Sequence, residues 1–287
     1  MVKAQKSKGI ALIVTSAFFY ALMSVFVSKA GDLPFFEKVL FRNLVSTAVA
    51  AWMLIKKHVP LRVSRDCVTP LILRAVFGTI SVFCNYYAID HLLLANSNSL
   101  SKLSPFFAIL LSAIFLKKKV SRQQLLCIGI AFVGSLFLLL PALGTVGFST
   151  LVGLMGGFAA GAVHVCLRSM KSRGTESAVI VLVFSVASTL IALVPTLIYY
   201  EPINFYQLSC LLMAGATCAV AQFSLTGAYR YAAPKDISIY ESTQIIFSAL
   251  LGLILFGQIP SLTNLIAYVL ILIASYLLFC YHRKNAS

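Results

Sequence analysis

Charged residues are scarce in this chain of 287 residues. Asp, Glu, Lys and Arg together make up 11% of the sequence, and only 8 residues are acidic. Soluble globular domains carry about 25% charged residues. The composition therefore argues against a soluble domain. Apolar residues make up 60% of the chain instead, and they fall in runs long enough to cross a bilayer.

The sequence also lacks the common signatures of catalysis and metal binding. It contains no GxxxxGK[ST] phosphate loop, no HExxH pair and no CxxC pair. Its 7 cysteines lie almost entirely within apolar runs, where cysteine behaves as a small hydrophobic residue. We therefore predict no ATP-driven motor within this chain, no cofactor, no metal site and no enzymatic activity.

Ten apolar segments are separated by connections rich in Gly, Pro and charged residues. Backbone polar groups must pair internally inside a bilayer, so continuous apolar runs predict membrane-spanning α-helices. The predicted fold is an all-α integral membrane protein with ten transmembrane helices. The predicted segments cover residues 9–29, 34–55, 68–89, 94–116, 122–141, 149–169, 177–199, 207–230, 236–256 and 262–281.

The net charge of +15 follows a pattern along the chain. Most of the 23 basic residues fall at the two termini and in every second connection, which places them on one side of a ten-helix protein. Cytoplasmic connections carry the excess of Lys and Arg. We therefore predict a multi-pass protein of the cell (cytoplasmic or inner) membrane with both termini in the cytoplasm. No basic stretch carries stacking aromatic residues, so no nucleic-acid partner is predicted.

Two parts of the chain resemble each other at an offset of 140 residues. The stretch that begins at Ser104 matches the stretch that begins at Gln244, and Phe107 falls on Phe247. The offset equals five segments, so the sequence predicts two repeats, residues 1–144 and 145–287. Because five is odd, the second repeat would enter the membrane from the opposite side. Inverted repeats around a midplane binding site are a frequent plan of secondary transporters.

The whole chain resembles the EamA-type members of the drug/metabolite transporter superfamily. The residues that carry the resemblance are Ala95, the run from Ser104-Pro-Phe-Phe-Ala-Ile-Leu-Leu-Ser to Gly134, a weaker echo from Asp236 to Ser275, Arg42, and Arg74 with Gly78 and Tyr87-Ala88. The last group is similar to the branch that contains S-adenosylmethionine and related metabolite carriers. The resemblance implies ten helices, a central cavity lined by both halves, and alternating access. The chain departs from the family at Lys117–Lys119, where an acidic residue is frequent, and at Ile245, where a proline is expected.

Ionisable side chains inside spanning segments are costly, by about 2.5 kcal/mol or more, and they usually face a cavity or a partner. Arg42 and Lys102 both lie about eight residues from one end of their segments, or roughly 12 Å below the same boundary. Two cations at one depth require an anion between them. A substrate carboxylate or phosphate would serve, and so would Glu37 or Asp90. Arg42 is equally compatible with an intraprotein ion pair, and Lys102 with a side chain that reaches toward the interface.

Glu241 is the acidic residue inside the ninth segment, and Arg74 lies at a comparable depth in the third. The two could form a structural ion pair, or Glu241 could bind a cation or a proton. By the repeat offset Glu241 corresponds to Ser101, next to Lys102, so opposite charges occupy matched positions and suit a zwitterionic substrate. His164 in the sixth segment is either a polar contact between helices or a cavity residue.

Neutral polar residues complete the candidate substrate-binding set. They are Ser24, Tyr20, Asn85, Tyr86, Tyr87, Asn96, Asn98 and Gln222. The predicted function is secondary-active or facilitative transport of small polar metabolites such as amino acids, nucleosides or amines. The predicted partners are a metabolite substrate, protons as a coupling ion, and the lipid bilayer. A receptor or structural subunit and an intramembrane enzyme are the alternatives.

Overall fold

The computed structural model describes residues 2–57, 63–115, 120–139, 145–171, 177–231 and 238–284. Within these ranges the chain forms eleven α-helices and one short 3-10 helix, and no strand. The helices are α1 (Val2–Lys29), α2 (Phe35–Lys57), α3 (Arg65–His91), α4 (Leu94–Ser101), α5 (Ser104–Phe115), α6 (Arg122–Leu139), α7 (Thr145–Lys171), α8 (Ser177–Ile198), α9 (Phe205–Tyr231), the 3-10 helix Ser238–Ser242, α10 (Thr243–Phe256) and α11 (Leu262–Lys284). The prediction of an all-α protein is confirmed.

Nine helical stretches in the described part of the chain are long and apolar enough to cross a membrane. One of them joins α4 and α5 into Leu94–Phe115, and a shorter apolar stretch, Arg122–Leu138, lies in α6. Each predicted segment therefore corresponds to a helical crossing. We call the end of the bundle that holds the N-terminus of α1 and the C-terminus of α11 the terminal end, and the other the opposite end. The predicted repeat boundary at residue 144 lies outside the described residues.

The fourth crossing is interrupted, and the described part of the ninth begins with a 3-10 helix; the hydropathy pattern predicted neither feature. A turn at Lys102 and Leu103 separates α4 from α5, and the backbone N–H of Leu103 donates to the carbonyl of Leu100 at 3.1 Å. Pro105 has no N–H to continue the preceding helix but is well suited to the first turn of a new one. In the ninth crossing the 3-10 helix Ser238–Ser242 precedes α10. The turn at Lys102 and the change from 3-10 to α-helix at Ser242 fall at positions matched by the 140-residue offset.

The most extensive helix contacts join residues 1–144 to residues 145–287. The first and eighth crossings pack together (α1 with α9), and so do the third and sixth (α3 with α7). If each crossing is replaced by the one five places further along, counting cyclically over ten, the first of these pairs becomes the second and the second becomes the first. The same replacement leaves three other pairs unchanged, because their members are five crossings apart. These pairs are α2 with α8, α4 with α10 and α6 with α11. The two halves are therefore interleaved throughout the bundle.

Three glycines on one face of α7 bring this helix against the interrupted fourth crossing. A Cβ at Gly157 would lie 2.6 Å from the carbonyl oxygen of Leu100. A Cβ at Gly161 would lie 2.6 Å from the Cβ of Phe107, and one at Gly153 would lie 2.6 Å from a methyl carbon of Leu100. Small residues allow such close helix approach in membranes.

Replacement of Gly157 by alanine should lower stability, because its new Cβ meets backbone that cannot rotate away. Overpacking of this kind costs about 1–3 kcal/mol. We expect a clearly lower melting temperature of the purified protein in detergent, measured as the folded fraction that survives heating. Gly129→Ala is the matched control, because a Cβ there has nothing within 4 Å. Equal melting temperatures for the two variants would contradict this description of the α7 contact.

Candidate functional site

Arg42 is buried in α2 without a carboxylate partner in the described part of the chain. Its side chain is 6% exposed. Its Nε donates to the Sγ of Cys218 at 3.2 Å, and one of its terminal nitrogens donates to the Oδ1 of Asn43 at 3.2 Å. Its guanidinium carbon lies 5.9 Å from the ring centroid of Tyr86. A guanidinium has five N–H donors, so two bonds to uncharged groups leave three donors for an anion or water.

The two acids that could have neutralised Arg42 are engaged elsewhere. Asp90 forms a salt bridge with Lys38, whose Nζ lies 2.6 Å from Oδ1. Glu37 accepts a hydrogen bond from the backbone N–H of Glu201 at 2.9 Å through Oε1. Both contacts tie together the opposite end of the bundle. The intraprotein alternative predicted for Arg42 is therefore not formed with either acid in this structure.

Arg74 folds back along α3 onto an aromatic ring. Its guanidinium carbon lies 4.2 Å from the ring centroid of Phe184, a cation–π contact. Gly78 leaves the space for it, because a Cβ there would lie 2.2 Å from a terminal nitrogen of Arg74. The Nε of Arg74 is buried and has no hydrogen-bond partner among the residues the structure describes. Within those residues no ion pair joins Arg74 to Glu241, so the predicted pair is not formed in this conformation.

One electrostatic neighbourhood contains Lys102 at the turn of the fourth crossing, Glu241 in the 3-10 helix of the ninth, and His164. The charge of Glu241 acts on Lys102, and both act on His164, as does Arg74. Lys102 and Glu241 are half-buried, and His164 on α7 is exposed, with its Nε2 3.5 Å from the Oγ of Ser104. His164 therefore faces an accessible space beside the charged residues.

Tyr20 connects this group with the arginines. It lies on α1 in the electrostatic field of Arg42, Arg74 and Glu241, and Arg42 and Arg74 also act on each other. The structure therefore brings the five ionisable residues that sequence analysis selected into one region. We call Arg42, Arg74, Lys102, His164 and Glu241 the central polar cluster.

Two of the predicted cavity residues are buried in helix packing instead. Asn98 is 1% exposed and Ser24 is fully buried. The Nδ2 of Asn98 donates to the carbonyl of Leu94 at 2.9 Å and to the Oγ of Ser24 at 3.2 Å, while its Oδ1 accepts from the Nε2 of Gln244. Asn98 thus links the first, fourth and ninth crossings. Gln244 was not predicted, although it lies in the repeated motif at the position that matches Ser104.

The remaining neutral candidates are divided between the cluster and the opposite end. Asn85 is half-buried and donates from Nδ2 to the Oγ of Ser101 at 2.5 Å, next to Lys102. Tyr86 is buried, and its hydroxyl has no partner within the described ranges. Tyr87 stacks on His91 near the opposite end, with ring centroids 4.1 Å apart, so it lies away from the cluster.

Asn96 and Gln222 are the last two neutral candidates. Asn96 is buried and accepts a hydrogen bond from the hydroxyl of Tyr268, which joins the fourth crossing to the tenth. Gln222 is half-buried on α9. Sequence analysis had no signal for Cys218, the thiol beside Arg42, because cysteine in an apolar run looks like any other small hydrophobic residue.

Comparison with known proteins supports this description of the fold and adds a family match. Residues 7–140 match the EamA-like transporter family. Over this part of its length the chain is similar to EamA-type transporters. The pseudopaline exporter CntI of Pseudomonas aeruginosa is 28% identical over 270 residues, which cover 93% of this chain and 94% of the exporter. An uncharacterized transporter of Helicobacter pylori is 26% identical over 284 residues and 94% of each chain.

Other similarities are more distant. A riboflavin transporter of Brucella anthropi is 24% identical over 198 residues, which cover 67% of this chain and 69% of that protein. The crystal structure of one protein with 16% sequence identity to this chain shows the same fold, with a TM-score of 0.66. The match covers 97% of this chain and 99% of that protein. The chain is a multi-pass integral membrane protein and a transporter of small molecules.

Proposed function

We propose that the central polar cluster is the substrate-binding site of an alternating-access transporter for small polar metabolites. The observation that carries this proposal is that ionisable residues from the second, third, fourth, sixth and ninth crossings converge on one region. Charged groups inside a bilayer are costly and usually mark a substrate or ion pathway. The relatives are named as transporters, which favours transport over catalysis.

The two predicted repeats, residues 1–144 and 145–287, supply the mechanism in this proposal. Helix pairings that map onto each other after five crossings support an inverted repeat. So do the turn at Lys102 and the 3-10 helix Ser238–Ser242, which lie at matched positions in the two repeats. Discontinuous helices that meet at mid-membrane are typical of transporter binding sites. Two related packings of the same halves would expose the cluster first to one side and then to the other.

The present conformation is closed at the opposite end. All seven residues from Leu94 to Leu100 are buried, so α4 is surrounded on every side. The Lys38–Asp90 salt bridge and the bond from Glu201 to Glu37 lie at the same end. In contrast, Lys102, Glu241 and His164 retain accessible surface. We infer that the cluster is reached from the terminal end in this state.

Replacement of Asp90 by asparagine should loosen the closure at the opposite end, because it leaves Lys38 buried without its counterion. Ser97 is fully buried in α4 and serves as the reporter. In a background without native cysteines, we expect Ser97→Cys to react with a membrane-impermeant maleimide several times faster when Asp90→Asn is also present. Glu201→Gln, which retains the backbone N–H that binds Glu37, should leave the rate unchanged. An unchanged rate in the Asp90 variant would contradict a closing role for the salt bridge.

The proposed location is the cytoplasmic (inner) membrane, with both termini in the cytoplasm. The excess of basic residues in the connections at the terminal end supports this orientation. The inference above then makes the present state accessible from the cytoplasm. Proton coupling through Glu241 is a further part of the proposal, since this carboxyl group lies in the cluster, in the 3-10 helix of the ninth crossing. Flux that is independent of a pH gradient would contradict the coupling alone.

Flux into proteoliposomes tests the proposal. The purified protein is reconstituted, incubated with a labelled metabolite panel of amino acids, nucleosides, amines and their acidic derivatives, and the trapped compounds are measured. We expect at least one polar metabolite to accumulate above protein-free liposomes. The Arg42→Gln variant should accumulate at least about tenfold less of it, because a hydrogen bond to a charged group is worth about 1.5–3 kcal/mol. Binding without flux would instead support a receptor.

A further inference from the structure

The central polar cluster contains more positive charge than its own acidic residue can neutralise. Arg42, Arg74 and Lys102 contribute three cations, and Glu241 contributes one carboxylate. The charge of Glu241 acts on Lys102, so these two offset each other. At the opposite end Asp90 is neutralised by Lys38, and Glu37 is held by a backbone N–H. The two arginines are left without a carboxylate in the described part of the chain.

Both arginines are held in a fixed orientation and retain free hydrogen-bond donors. Arg42 is fixed by Cys218 and Asn43, which accept only two of its five N–H groups. Arg74 is fixed by Phe184, a contact that occupies its face, and its buried Nε–H has no acceptor within the described ranges. The two guanidinium groups act on each other as like charges. A buried arrangement of this kind is stable only when anionic groups or water occupy the space beside the donors.

We propose that the transported molecule carries two anionic groups, one bound by Arg42 and the other by Arg74. This inference rests on the proposed function. Carboxylates suit both sites, because the planar guanidinium fork matches a carboxylate with two parallel hydrogen bonds. The ring of Tyr86 beside Arg42 and the ring of Phe184 beside Arg74 supply apolar surface for the carbon skeleton. A neutral or purely cationic metabolite would leave both arginines uncompensated.

Dicarboxylates and their amides separate this proposal from general anion binding. Succinate, glutarate and adipate are each compared with their monoamide and diamide in a thermal-stability assay of the purified full chain, in chloride-free buffer whose ionic strength is held with methanesulfonate. We expect at least one dicarboxylate to raise the melting temperature by several degrees, its monoamide to give a smaller shift, and its diamide to give none. Either Arg42→Gln or Arg74→Gln should reduce the dicarboxylate shift to that of the monoamide.

Arg122→Gln replaces an exposed arginine at the start of α6 and should retain the full shift. If a glutamine variant does not fold, the lysine variants should give shifts between those of the wild type and the monoamide. The inference is overturned if a monoamide matches its dicarboxylate, if chloride alone reproduces the shift, if the shift persists in both arginine variants, or if no dicarboxylate stabilises the wild type. Absence of any flux in proteoliposomes would contradict the proposed function instead.

Discussion

Replacement of Arg42 by alanine is expected to slow transport by at least about tenfold without lowering thermal stability. The loss of a charged hydrogen-bond donor to substrate costs about 1.5–3 kcal/mol. Because about 1.4 kcal/mol corresponds to a factor of ten, the initial rate at subsaturating substrate should fall by about 10- to 100-fold. The measurement is the initial rate of uptake into proteoliposomes, with the melting temperature determined on the same preparation.

Stability distinguishes a binding role for Arg42 from a structural one. Asn43 retains its 2.7 Å bond to the Oγ of Ser188 when Arg42 is lost, so the local contact between α2 and α8 survives. Removal of a buried charge that lacks a counterion should leave the melting temperature equal or higher. Arg122→Ala, at an exposed arginine, should change neither quantity. A melting temperature that falls together with the rate would contradict the binding role.

Loss of the charge of either Lys102 or Glu241 should also slow transport strongly. Lys102→Ala and Glu241→Gln should each reduce the initial rate of transport by at least about tenfold, since each removes a charged partner from a partly buried site. Exchange of the two charges, Lys102→Glu with Glu241→Lys, should recover part of the rate, because it restores the overall balance. Initial uptake rates in proteoliposomes provide the measurement.

Matched substitutions outside the cluster show whether the effect is local. Lys8→Ala removes an exposed lysine from α1, and Glu201→Gln removes an exposed carboxylate between α8 and α9. Neither should change the rate. Transport at the wild-type rate in both Lys102→Ala and Glu241→Gln would eliminate these two residues from the binding site.

Much of the fold could be predicted because hydropathy indicates the length of each membrane-spanning helix and the depth of each residue in the membrane. Each of the ten predicted segments coincides with a helical crossing, and the ionisable residues selected by their depth do meet in one region. Depth along a helix follows directly from the sequence, since each residue adds about 1.5 Å. The cost of a charge in the bilayer then restricts such residues to an interior position.

The rest could not be predicted because hydropathy does not report which direction a side chain faces. Asn98 and Ser24 have the right depth for the cluster but point into a contact between helices. Tyr87 stacks on His91, while its neighbour Tyr86 faces Arg42. These directions depend on which helices pack together, and in this fold the closest partners are far apart in the sequence, as α1 and α9 are.

The partner of Arg74 illustrates the same limit. Equal depth and opposite charge favoured a pair with Glu241, but a glycine one turn along α3 opens a different position over the ring of Phe184. The space above Gly78 is a property of the packing of α3 with α8. One sequence alone gives no information about such a space.

Accessibility of the cluster from both sides of the membrane tests the central claim most directly. Ser101 lies beside Lys102 and is half-buried, so Ser101→Cys in a background without native cysteines is the reporter. We expect a membrane-impermeant maleimide to label it in both inside-out and right-side-out vesicles, and a transported metabolite to slow both reactions. Labelling from one side only, or labelling that no metabolite affects, would contradict alternating access to this site.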